Sequence, residues 1–387
     1  MNYVPSSGWW YSWVDWDETS IVGDLEAVAG LGADHIRIHC LWPLFQPNPG
    51  LVSARMLDHL ARLLDRADDA GLDVVVTVFD GWLSGFAFQP AWVPDQLGVF
   101  RDEEVITAQL ALLEAMATRI GGHRRFLGFD IANEPNVLAG ISSDGITLEQ
   151  GDGWVSRLLG HCERIAPGGL HNVGMDQAPW LTDGRPFSRH TLARTGAITP
   201  VHSWIYFTGA LQRYGETGVG TLHLAEYLLE LAKAFHTDPL RSVWLQEYGA
   251  STQWLPDPAT FLEAATRAAL DVTGLWGLTW WCSHDISRTL GGFDELEYDL
   301  GLLTVDNEVK PTGAAFRRLT ETARGAAPPA PRKLALVLDD DRTPDLEFAD
   351  TFFTLVAQGR RPTIVLRSRT TADALERRGI TVLHNPA

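Results

Sequence analysis

The most constraining feature of this chain is a regular alternation of short apolar segments with longer amphipathic ones. Two apolar segments, His35–Cys40 and Asp73–Phe79, are rich in β-branched residues, and the segment between them, Ser53–Ala70, repeats its leucines at helical spacing. Asp73–Phe79 shows no polar alternation, which is typical of a parallel strand buried on both faces. Repeated βα units of this kind predict a parallel α/β fold.

The alternation continues through residues 1–324 and predicts an α/β fold of the (β/α)8 TIM barrel type. Its least regular connection is 177–195, which is rich in Pro, Gly and Arg. The predicted strands are Asn2–Val4, His35–Cys40, Asp73–Phe79, Phe126–Ala132, His171–Met175, Ile198–Ser203, Ser242–Glu247 and Leu275–Cys282. The predicted helices are Glu18–Leu31, Ser53–Ala70, Glu103–Ile120, Gly153–Ile165, Leu222–Phe235, Ala259–Val272 and Pro311–Ala323.

A linker rich in Pro and Ala, residues 325–332, follows the predicted barrel. Residues 333–387 have a βαβαβ pattern without a glycine-rich phosphate loop after the first strand, so we do not predict a nucleotide site there. Because a unit of this size buries only a thin core, we expect it to pack on the barrel or on another subunit. Its predicted elements are Leu334–Leu338, Pro344–Ala357, Ile364–Leu366, Thr371–Arg378 and Ile380–Leu383.

Charge limits the partners of the chain. Asp and Glu total 49 against 31 Lys and Arg, a net charge of −18, which disfavours nucleic acid and anionic membrane surfaces as partners. We find no apolar run of membrane-spanning length and no basic or apolar leader before the first predicted strand. The three cysteines, Cys40, Cys162 and Cys282, are odd in number and widely spaced, so neither a disulfide framework nor a metal site is predicted. We therefore expect a reduced, cytoplasmic protein.

Two glutamates end predicted strands on opposite sides of the barrel. Glu134 comes directly after the fourth strand, and Glu247 is the last residue of the seventh. The carboxyl ends of barrel strands meet at one mouth, where barrel enzymes hold their reactive groups. Acetal hydrolysis needs one carboxyl group to protonate the leaving oxygen and a second to attack or stabilise the anomeric carbon. The pair therefore predicts glycoside hydrolysis, chemistry that requires no metal and no cofactor.

These residues resemble glycoside hydrolase family 5, part of the clan of retaining glycosidases on (β/α)8 barrels. The resemblance covers about residues 1–323 and rests on Asn133-Glu134-Pro135 after an apolar strand together with Glu247. It is strengthened by further positions that match the family pattern. These are Arg37 on the second strand, His202 on the sixth, Trp280 on the eighth, and Gly301-Leu302-Leu303 with Lys310-Pro311 before the last barrel helix.

The resemblance implies a role for each matching residue. Glu134 corresponds to the general acid/base, and Glu247 corresponds to the nucleophile that forms a glycosyl-enzyme intermediate. Asn133 corresponds to the residue that binds the sugar 2-hydroxyl. Arg37 corresponds to the arginine that keeps the nucleophile ionised. His202 corresponds to a site histidine and Trp280 to the tryptophan beneath the bound sugar. The acid/base must start protonated, so its pKa should be raised. Carboxyl groups about 5–5.5 Å apart would indicate retention, and 6.5–9.5 Å would indicate inversion.

The chain departs from the family pattern near the nucleophile. The family places a Tyr two residues after the sixth-strand His, but that position is Trp204 here, and Tyr206 comes two residues later. Either Tyr206 or another group therefore neighbours Glu247. Near the mouth, Asp80 is expected either to bind a sugar hydroxyl or to cap a loop. The remaining candidates for substrate contact are Trp82, Trp281 and His284, with a loop-structural role equally open for His284.

The chain most resembles bacterial intracellular β-mannosidases of family 5, some of which are similar to enzymes acting on Manβ1-4GlcNAc. We therefore expect a retaining exo-β-glycosidase for short oligosaccharides, with long loops at 8–17, 81–92 and 283–299 closing one end of the site. The open alternatives are a β-glucosidase, an endo-glucanase or endo-mannanase, a transglycosylase, and a catalytically silent sugar-binding barrel. The C-terminal unit resembles a small domain that mediates trimer contacts in some galactosidases of the clan, which suggests a homotrimer.

Tryptophan is unusually abundant, with 15 residues. Twelve of the 15 lie at or beyond the carboxyl ends of predicted strands; the exceptions are Trp154, Trp244 and Trp276. Indoles offer flat apolar faces with one polar edge, which suits contact with sugars. We therefore predict a sugar pocket lined by indoles around Glu134 and Glu247.

Overall fold

The computed structural model describes residues 1–95, 98–141 and 145–386, and it shows a (β/α)8 barrel followed by a small α/β unit. Neighbouring barrel strands are parallel, in the orders β1-β2-β3-β4 and β5-β6-β7. The barrel strands are β1 His35–His39, β2 Asp73–Phe79, β3 Phe126–Asn133, β4 Asn172–Gly174, β5 Thr199–Ser203, β6 Val243–Tyr248 and β7 Leu275–Trp280. All of these overlap predicted strands closely.

Residues 1–4 occupy the position of the predicted first strand, between β7 and β1. The Asn2 backbone N–H donates to the Trp280 carbonyl (3.0 Å), and the Tyr3 N–H donates to the Arg37 carbonyl (2.9 Å). The prediction of a strand over Asn2–Val4 is too long, because only Asn2 forms a ladder bridge, with Arg37. On the opposite side, the Ala197 N–H donates to the His171 carbonyl (2.8 Å), which links the approaches to β4 and β5.

Helices cover the outside of the barrel and connect its strands. The connection 177–195 contains only two four-residue helices, which are separated by a segment that includes Gly184 and Pro186. The described helices are α1 Glu18–Gly30, α2 Trp42–Phe45, α3 Ala54–Asp69, α4 Gly98–Arg101, α5 Glu103–Ile120, α6 Pro135–Ile141, α7 Leu148–Ile165, α8 Ala178–Leu181, α9 Arg189–Leu192, α10 Ala210–Tyr214, α11 Val219–Leu222, α12 Leu224–Ala234, α13 Pro258–Leu270, α14 Pro311–Ala323, α15 Leu346–Ala357 and α16 Ala372–Arg377. Three short 3-10 helices cover Trp9–Trp13, Glu295–Asp299 and Arg367–Arg369.

Side-chain caps fix where the long helices begin. The Asp102 carboxylate accepts from the backbone N–H groups of Glu104 and Val105, so α5 begins at Glu103 as predicted. Helix α7 begins at Leu148, five residues before the predicted start at Gly153. The reason is a capping box, in which Thr147 and Gln150 satisfy each other's backbone N–H groups.

The C-terminal unit contains a parallel sheet of strands β8 Leu334–Leu338, β9 Thr363–Leu366 and β10 Val382–His384, in the order β10-β8-β9. Its helix α15 packs on the barrel helix α12 of the same chain, where the rings of Phe352 and Phe353 lie 5.4 and 5.7 Å from the Tyr227 ring. The Tyr227 hydroxyl donates to the Pro344 carbonyl (2.7 Å). The unit therefore shares a hydrophobic core with its own barrel.

None of the described helices combines the length and the apolar character needed to cross a membrane.

Candidate active site

A buried arginine organises the mouth of the barrel. Strand β1 points Arg37 into the barrel interior, where its side chain has no solvent exposure. Its Nη1 donates to Glu247 Oε1 (2.5 Å), and its Nε and Nη2 donate to Asp130 Oδ2 (2.8 and 2.7 Å). Nη2 also donates to Asn133 Oδ1 (2.7 Å). Burial opposes the charge of Arg37, but the carboxylates of Asp130 and Glu247 raise its pKa, so the guanidinium remains a fixed cation beside Glu247.

Asp130 holds this cation from the interior of β3. Besides Arg37, its carboxylate accepts from the Thr77 hydroxyl (3.0 Å) and from the Gly174 backbone N–H (2.8 Å). The neighbouring Asn133 side chain is held at both ends, because it accepts from Arg37 and its Nδ2 donates to the Trp82 carbonyl (2.6 Å). Strands β1, β2, β3 and β4 are thereby tied together directly beneath the two glutamates.

His202, at the end of β5, lies between the two glutamates. Its Nδ1 is 2.9 Å from Glu134 Oε1 and 3.3 Å from Glu247 Oε2, and its Nε2 is 3.0 Å from Gln246 Oε1. Burial opposes protonation of His202, but the charges of Glu247 and Glu134 raise its pKa. Gly174 makes this packing possible, since a Cβ there would lie 2.4 Å from Gln246 Oε1 and 3.0 Å from His202 Nε2.

Glu134 differs from Glu247 in its surroundings. Its backbone is left-handed (φ 44°), a conformation that costs free energy in a residue other than glycine and that is typical of functional sites. Burial raises the pKa of Glu134 to about 7, and the negative charges of Glu247 and Asp176 contribute, while the hydrogen bond from His202 opposes the shift. Glu247, by contrast, directly contacts the Arg37 cation.

The carboxyl groups of Glu134 and Glu247 approach each other across the barrel mouth. One oxygen of Glu134, one oxygen of Glu247 and a ring nitrogen of His202 all lie within 4.8 Å of one another. This close approach favours a retaining pair over an inverting pair, whose carboxyl groups leave room for a water molecule between them. The same three groups are the only set in the described part of the chain that could hold a metal ion. Arg37 already supplies a positive charge in contact with Glu247, so the set does not require an ion for charge balance.

Asp80 is placed differently from the expectation that it binds sugar or caps a loop. Its Oδ1 lies 2.7 Å from His39 Nδ1, and His39 Nε2 lies 3.3 Å from Arg37 Nη1. Burial raises the pKa of Asp80 well above its usual range, whereas burial and the nearby Arg37 lower the pKa of His39. Asp80 therefore supports the Arg37 side chain through His39, and its Oδ2 has no hydrogen-bond partner among the residues described.

Two of the predicted contact residues, Trp280 and His284, point away from the glutamates. Trp280 is fully buried, its indole N–H donates to the Leu300 carbonyl, and its ring packs on Tyr248 and Phe261 at the outer side of β7. The adjacent Trp281 instead packs against His39, with ring centroids 5.4 Å apart. Trp280 therefore faces the outside of the barrel, against the expectation that it lies beneath the sugar, because successive residues of a strand face opposite sides.

His284 is also engaged elsewhere. Its Nδ1 lies 2.9 Å from the Ser283 hydroxyl and 3.1 Å from the Val4 carbonyl, and its Nε2 lies 2.8 Å from Asn307 Oδ1. The side chain is completely buried, so it fastens the N-terminal segment to the loop after β7. The structure thus favours the loop-structural role for His284.

An exposed aromatic platform stands beside the mouth, formed by Trp204, Tyr206, Phe207 and Trp254. Tyr206 and Trp254 stack in parallel with centroids 4.9 Å apart, and Trp204 and Phe207 pack edge-on against Trp254. Tyr206 is 42% exposed. Tyr206 therefore does not take the place of the family's tyrosine beside the nucleophile. The described side-chain neighbours of Glu247 are Arg37 and His202.

The three long loops meet on another side of the site in an aromatic wall formed by Trp9, Phe86, Phe88, Phe293 and Tyr298. Phe293 contacts both Trp9 (centroids 5.2 Å apart) and Phe86 (5.1 Å). The three loops predicted to close one end of the site, 8–17, 81–92 and 283–299, therefore pack against one another. The predicted indole lining is largely wrong, because many of the indoles form a buried layer inside these loops and near the barrel rim. Its fully buried members include Trp10, Trp13, Trp42 and Trp180.

Sequence reasoning missed four polar residues of the site: Asp130, Gln246, Asp176 and Glu297. Asp130 and Gln246 carry a detectable signal, since a polar residue inside an otherwise apolar strand must face polar partners. Asp176, which accepts from Asn136 (2.5 Å), and Glu297 lie in loops whose course no local pattern defines.

Comparison with known proteins agrees with this geometry. The family model described as cellulase (glycosyl hydrolase family 5) matches residues 5–154. A GH5_18 protein from Streptomyces cattleya, crystallised with Manβ1-4GlcNAc, is 42% identical with a TM-score of 0.96, and the match covers 100% of this chain and 98% of that one. A second structure from that organism, with GlcNAc, is 43% identical with a TM-score of 0.95, covering 100% and 97% of the two chains.

A GH5_18 protein from Bifidobacterium longum subsp. longum, also crystallised with Manβ1-4GlcNAc, is 34% identical with a TM-score of 0.92. The match covers 100% of this chain and 95% of that one. Among curated proteins, none matches the chain. The similarity to the solved structures extends through the C-terminal unit as well as the barrel.

Proposed function

Because the chain belongs to glycoside hydrolase family 5, we propose that it is a retaining exo-β-mannosidase that releases the terminal mannose of Manβ1-4GlcNAc or a related short oligosaccharide. The observation that carries the mechanism is the pair of carboxyl groups within 4.8 Å in opposite environments, one beside a fixed cation and one desolvated. The relatives crystallised with Manβ1-4GlcNAc support the substrate.

In the first step, Glu247 attacks the anomeric carbon as the bond to the leaving oxygen breaks. Arg37 donates to Glu247 Oε1, which places a positive charge beside the attacking carboxylate. Glu134 donates its proton to the departing oxygen, and its pKa of about 7 lets it hold that proton near neutral pH. The product of this step is a glycosyl ester of Glu247 and a free aglycone.

In the second step, the Glu134 carboxylate takes a proton from a water molecule, which attacks the anomeric carbon and releases Glu247. His202 stays within reach of both glutamates and orients them through the change of charge. Asn133 is held by Arg37 and Trp82, which leaves one Nδ2 hydrogen for the sugar 2-hydroxyl. We assign the surface beneath the sugar to Trp281, which packs on His39.

Exo action is supported by the aromatic wall. Loops from three separate parts of the chain pack ring against ring at this wall, which favours a site closed at one end over a cleft open at both. The exposed platform of Tyr206 and Trp254 lies beside the mouth and offers a stacking surface for the aglycone.

A substrate panel tests the proposal. We expect hydrolysis of Manβ1-4GlcNAc and aryl β-mannosides at rates well above those for the matching β-glucosides, with release of β-mannose as the first product in proton NMR. A preference for β-glucosides would reassign the substrate. Cleavage inside longer mannans would overturn exo action. Trisaccharide or longer products from Manβ1-4GlcNAc would indicate transglycosylation, and binding without turnover would indicate a silent barrel.

We further propose a homo-oligomer, a trimer, in a reducing compartment such as the cytoplasm. Strand β10 is the edge of its sheet, with Val382 and Leu383 exposed by 48% and 40%, and exposed apolar edge strands readily pair. All three cysteines are buried, unpaired thiols, which suits a reducing compartment. Light scattering tests the assembly. A monomeric full-length chain contradicts it, and a trimer that dissociates in Leu383→Lys supports it.

A further inference from the structure

Three buried polar atoms without partners belong to the loops that form the aromatic wall. In a folded protein most buried polar atoms are hydrogen-bonded, and each exception calls for an explanation. Among the described residues, the Nε1 of Trp9, the hydroxyl of Ser84 and Oε2 of Glu297 are buried and unpartnered. They come from the three different loops that form the wall, so the accumulation is not a feature of one badly packed segment.

Glu297 is the most costly of these groups. It lies on the 3-10 helix Glu295–Asp299, between the wall residues Phe293 and Tyr298. Ser84 neighbours its carboxyl without forming a hydrogen bond of good geometry, and no Lys, Arg or His forms an ion pair with it in the described ranges. A buried carboxyl without a cation or a full set of donors is destabilising unless something else compensates.

Glu297 also lies close to the catalytic pair. Burial raises its pKa to about 7, and the negative charges of Glu247, Asp294 and Glu134 contribute to the increase. The Cys282 thiol, which follows Trp281, is influenced by the charges of both Glu297 and Glu247. The carboxyl therefore belongs to the same enclosed region as the reaction centre rather than to the outer surface of the loop.

The loop that carries Ser84 is held in an unusual conformation at that position. Ser84 has a left-handed backbone (φ 49°) directly before Gly85, and Leu83 and Phe86 pair across this turn. The strained backbone places a small hydroxyl, rather than a bulky side chain, beside Glu297. A donor beside an acceptor matches the alternating donors and acceptors of vicinal sugar hydroxyls.

We propose that Glu297, with Ser84, binds the hydroxyl groups of the terminal sugar that point away from the scissile bond, and thereby restricts the enzyme to chain ends whose hydroxyls are unsubstituted. This inference rests on the proposed exo-glycosidase function. The ligand class is an unmodified non-reducing terminal hexopyranosyl group, whose hydroxyls supply the missing donors to the carboxyl. A substituent on a contacted hydroxyl would remove the hydrogen that this hydroxyl donates to the carboxyl.

A cycle of enzyme and substrate changes tests this contact. We compare the full-length enzyme with Glu297→Ala and Glu297→Gln on 4-nitrophenyl β-mannoside and on its 3-, 4- and 6-deoxy analogues. Glu295 on the same 3-10 helix is exposed and paired with Arg288, so Glu295→Gln is the matched control. The far-ultraviolet circular dichroism and melting temperature of each variant establish that it is folded.

We expect kcat/KM of the parent enzyme to fall by about 10- to 100-fold when the contacted hydroxyl is removed, which is typical when a site built for a hydroxyl loses it. Glu297→Ala should show a similar loss on the full substrate and almost no further loss on that one deoxy analogue. Glu297→Gln should retain part of the activity, and Glu295→Gln should match the parent. Equal fractional losses by Glu297→Ala on every analogue, or no loss at all, would overturn the contact.

The two proposals fail in different ways. If the parent enzyme hydrolyses another aryl glycoside instead of the mannoside, the mannosidase assignment fails, and the same cycle is run with the deoxy analogues of that sugar. If the parent is active and the cycle shows independent effects, the exo-glycosidase proposal stands and the role of Glu297 is refuted.

Discussion

Two buried arginines, Arg37 and Arg332, lie in two regions of this molecule that differ in their balance of charge. Arg37 sits in the barrel mouth against Asp130 and Glu247, and Arg332 sits between the barrel and the C-terminal unit, where its Nη2 contacts Glu226 (2.6 Å) and Asp271 (3.1 Å). Around Arg332, two further cations join, since Arg361 contacts Glu226 and Lys233 contacts Glu230. Three cations thus face three carboxylates, and we call this set the Arg332 network.

The balance of charge separates the two regions. In the Arg332 network burial opposes ionisation, but His223 and the arginines lower the pKa of Glu226 to about 2. Lys233 and Arg332 likewise lower the pKa of Glu230, so both buried glutamates are charged. In the barrel mouth the acids outnumber Arg37, and burial raises the pKa of Glu134 to about 7. An acid surplus in a desolvated site keeps a proton available for transfer, whereas a balanced set holds the structure together.

The largest expected effect is on Glu247. Replacing it with Ala removes the nucleophile, so we expect kcat/KM to fall on the order of 10^4-fold or more. The melting temperature should not fall, since Arg37 keeps Asp130 as its partner. Azide should restore turnover of an aryl mannoside and give an α-mannosyl azide, detected by NMR. If Glu247→Ala remained active, the barrel mouth would not be the catalytic region.

Glu134→Gln tests whether Glu134 donates its proton to the leaving oxygen. For Manβ1-4GlcNAc, whose leaving group needs protonation, we expect a loss of about 10^2- to 10^4-fold in kcat. For a 2,4-dinitrophenyl mannoside, whose leaving group departs unaided, glycosylation should be little affected. The parent enzyme should lose activity as the pH rises through about 7, because Glu134 then loses its proton, and the variant should lack this limb. Equal losses on both substrates would contradict the acid role.

Arg332→Met should lower stability and leave activity unchanged, the reverse of what we expect for Glu247→Ala. It leaves two buried carboxylates short of a cation, so we expect the free energy of unfolding to fall by about 3–5 kcal/mol, measured by urea denaturation. The kcat of the folded fraction should be unchanged. The exposed pair of Arg288 and Glu295 offers the control, and Arg288→Met should cost less than about 1 kcal/mol. If Arg332→Met lowered kcat without lowering stability, the Arg332 network would not be a purely structural region.

The pH dependence of stability should differ in direction between the regions. Glu226 has a folded-state pKa of about 2, below its ordinary 4.5, so its contribution is present above pH 4.5 and is lost as the pH falls from 4.5 to 2. Glu134 has a raised pKa, so its contribution is present below pH 4.5 and is lost as the pH rises from 4.5 to 7. Urea titrations of the parent, Glu226→Gln and Glu134→Gln across this range check both slopes. Parallel profiles for the three proteins would refute the assignment.

The sequence predicts the strands of the barrel well because several of them are short apolar, β-branched runs, such as Asp73–Phe79, which the sheet buries. It also predicts Glu134 and Glu247, since strand ends converge at one mouth in a barrel. It fails at Trp280, where a one-residue error in register reverses the side that the ring faces. It leaves the role of His284 open and misses Glu297, because the course of long loops depends on contacts between distant segments, such as Trp9 with Phe293.

The smallest expected effect concerns the exposed platform beside the mouth. Tyr206 stacks on Trp254 and is 42% exposed, so removing its ring should cost little stability. If the platform supports the aglycone, Tyr206→Ala should raise KM for Manβ1-4GlcNAc by about 3- to 10-fold, as expected for loss of one stacking contact, with kcat nearly unchanged. The matched control is Trp276→Ala, which removes a comparably exposed ring from the start of β7, at the opposite end of the barrel. An equal rise in KM for both variants would show that the effect comes from general loosening of the barrel. A rise in KM in Tyr206→Ala alone would show that the substrate-binding region includes the uncharged platform beside the mouth as well as the acids within it.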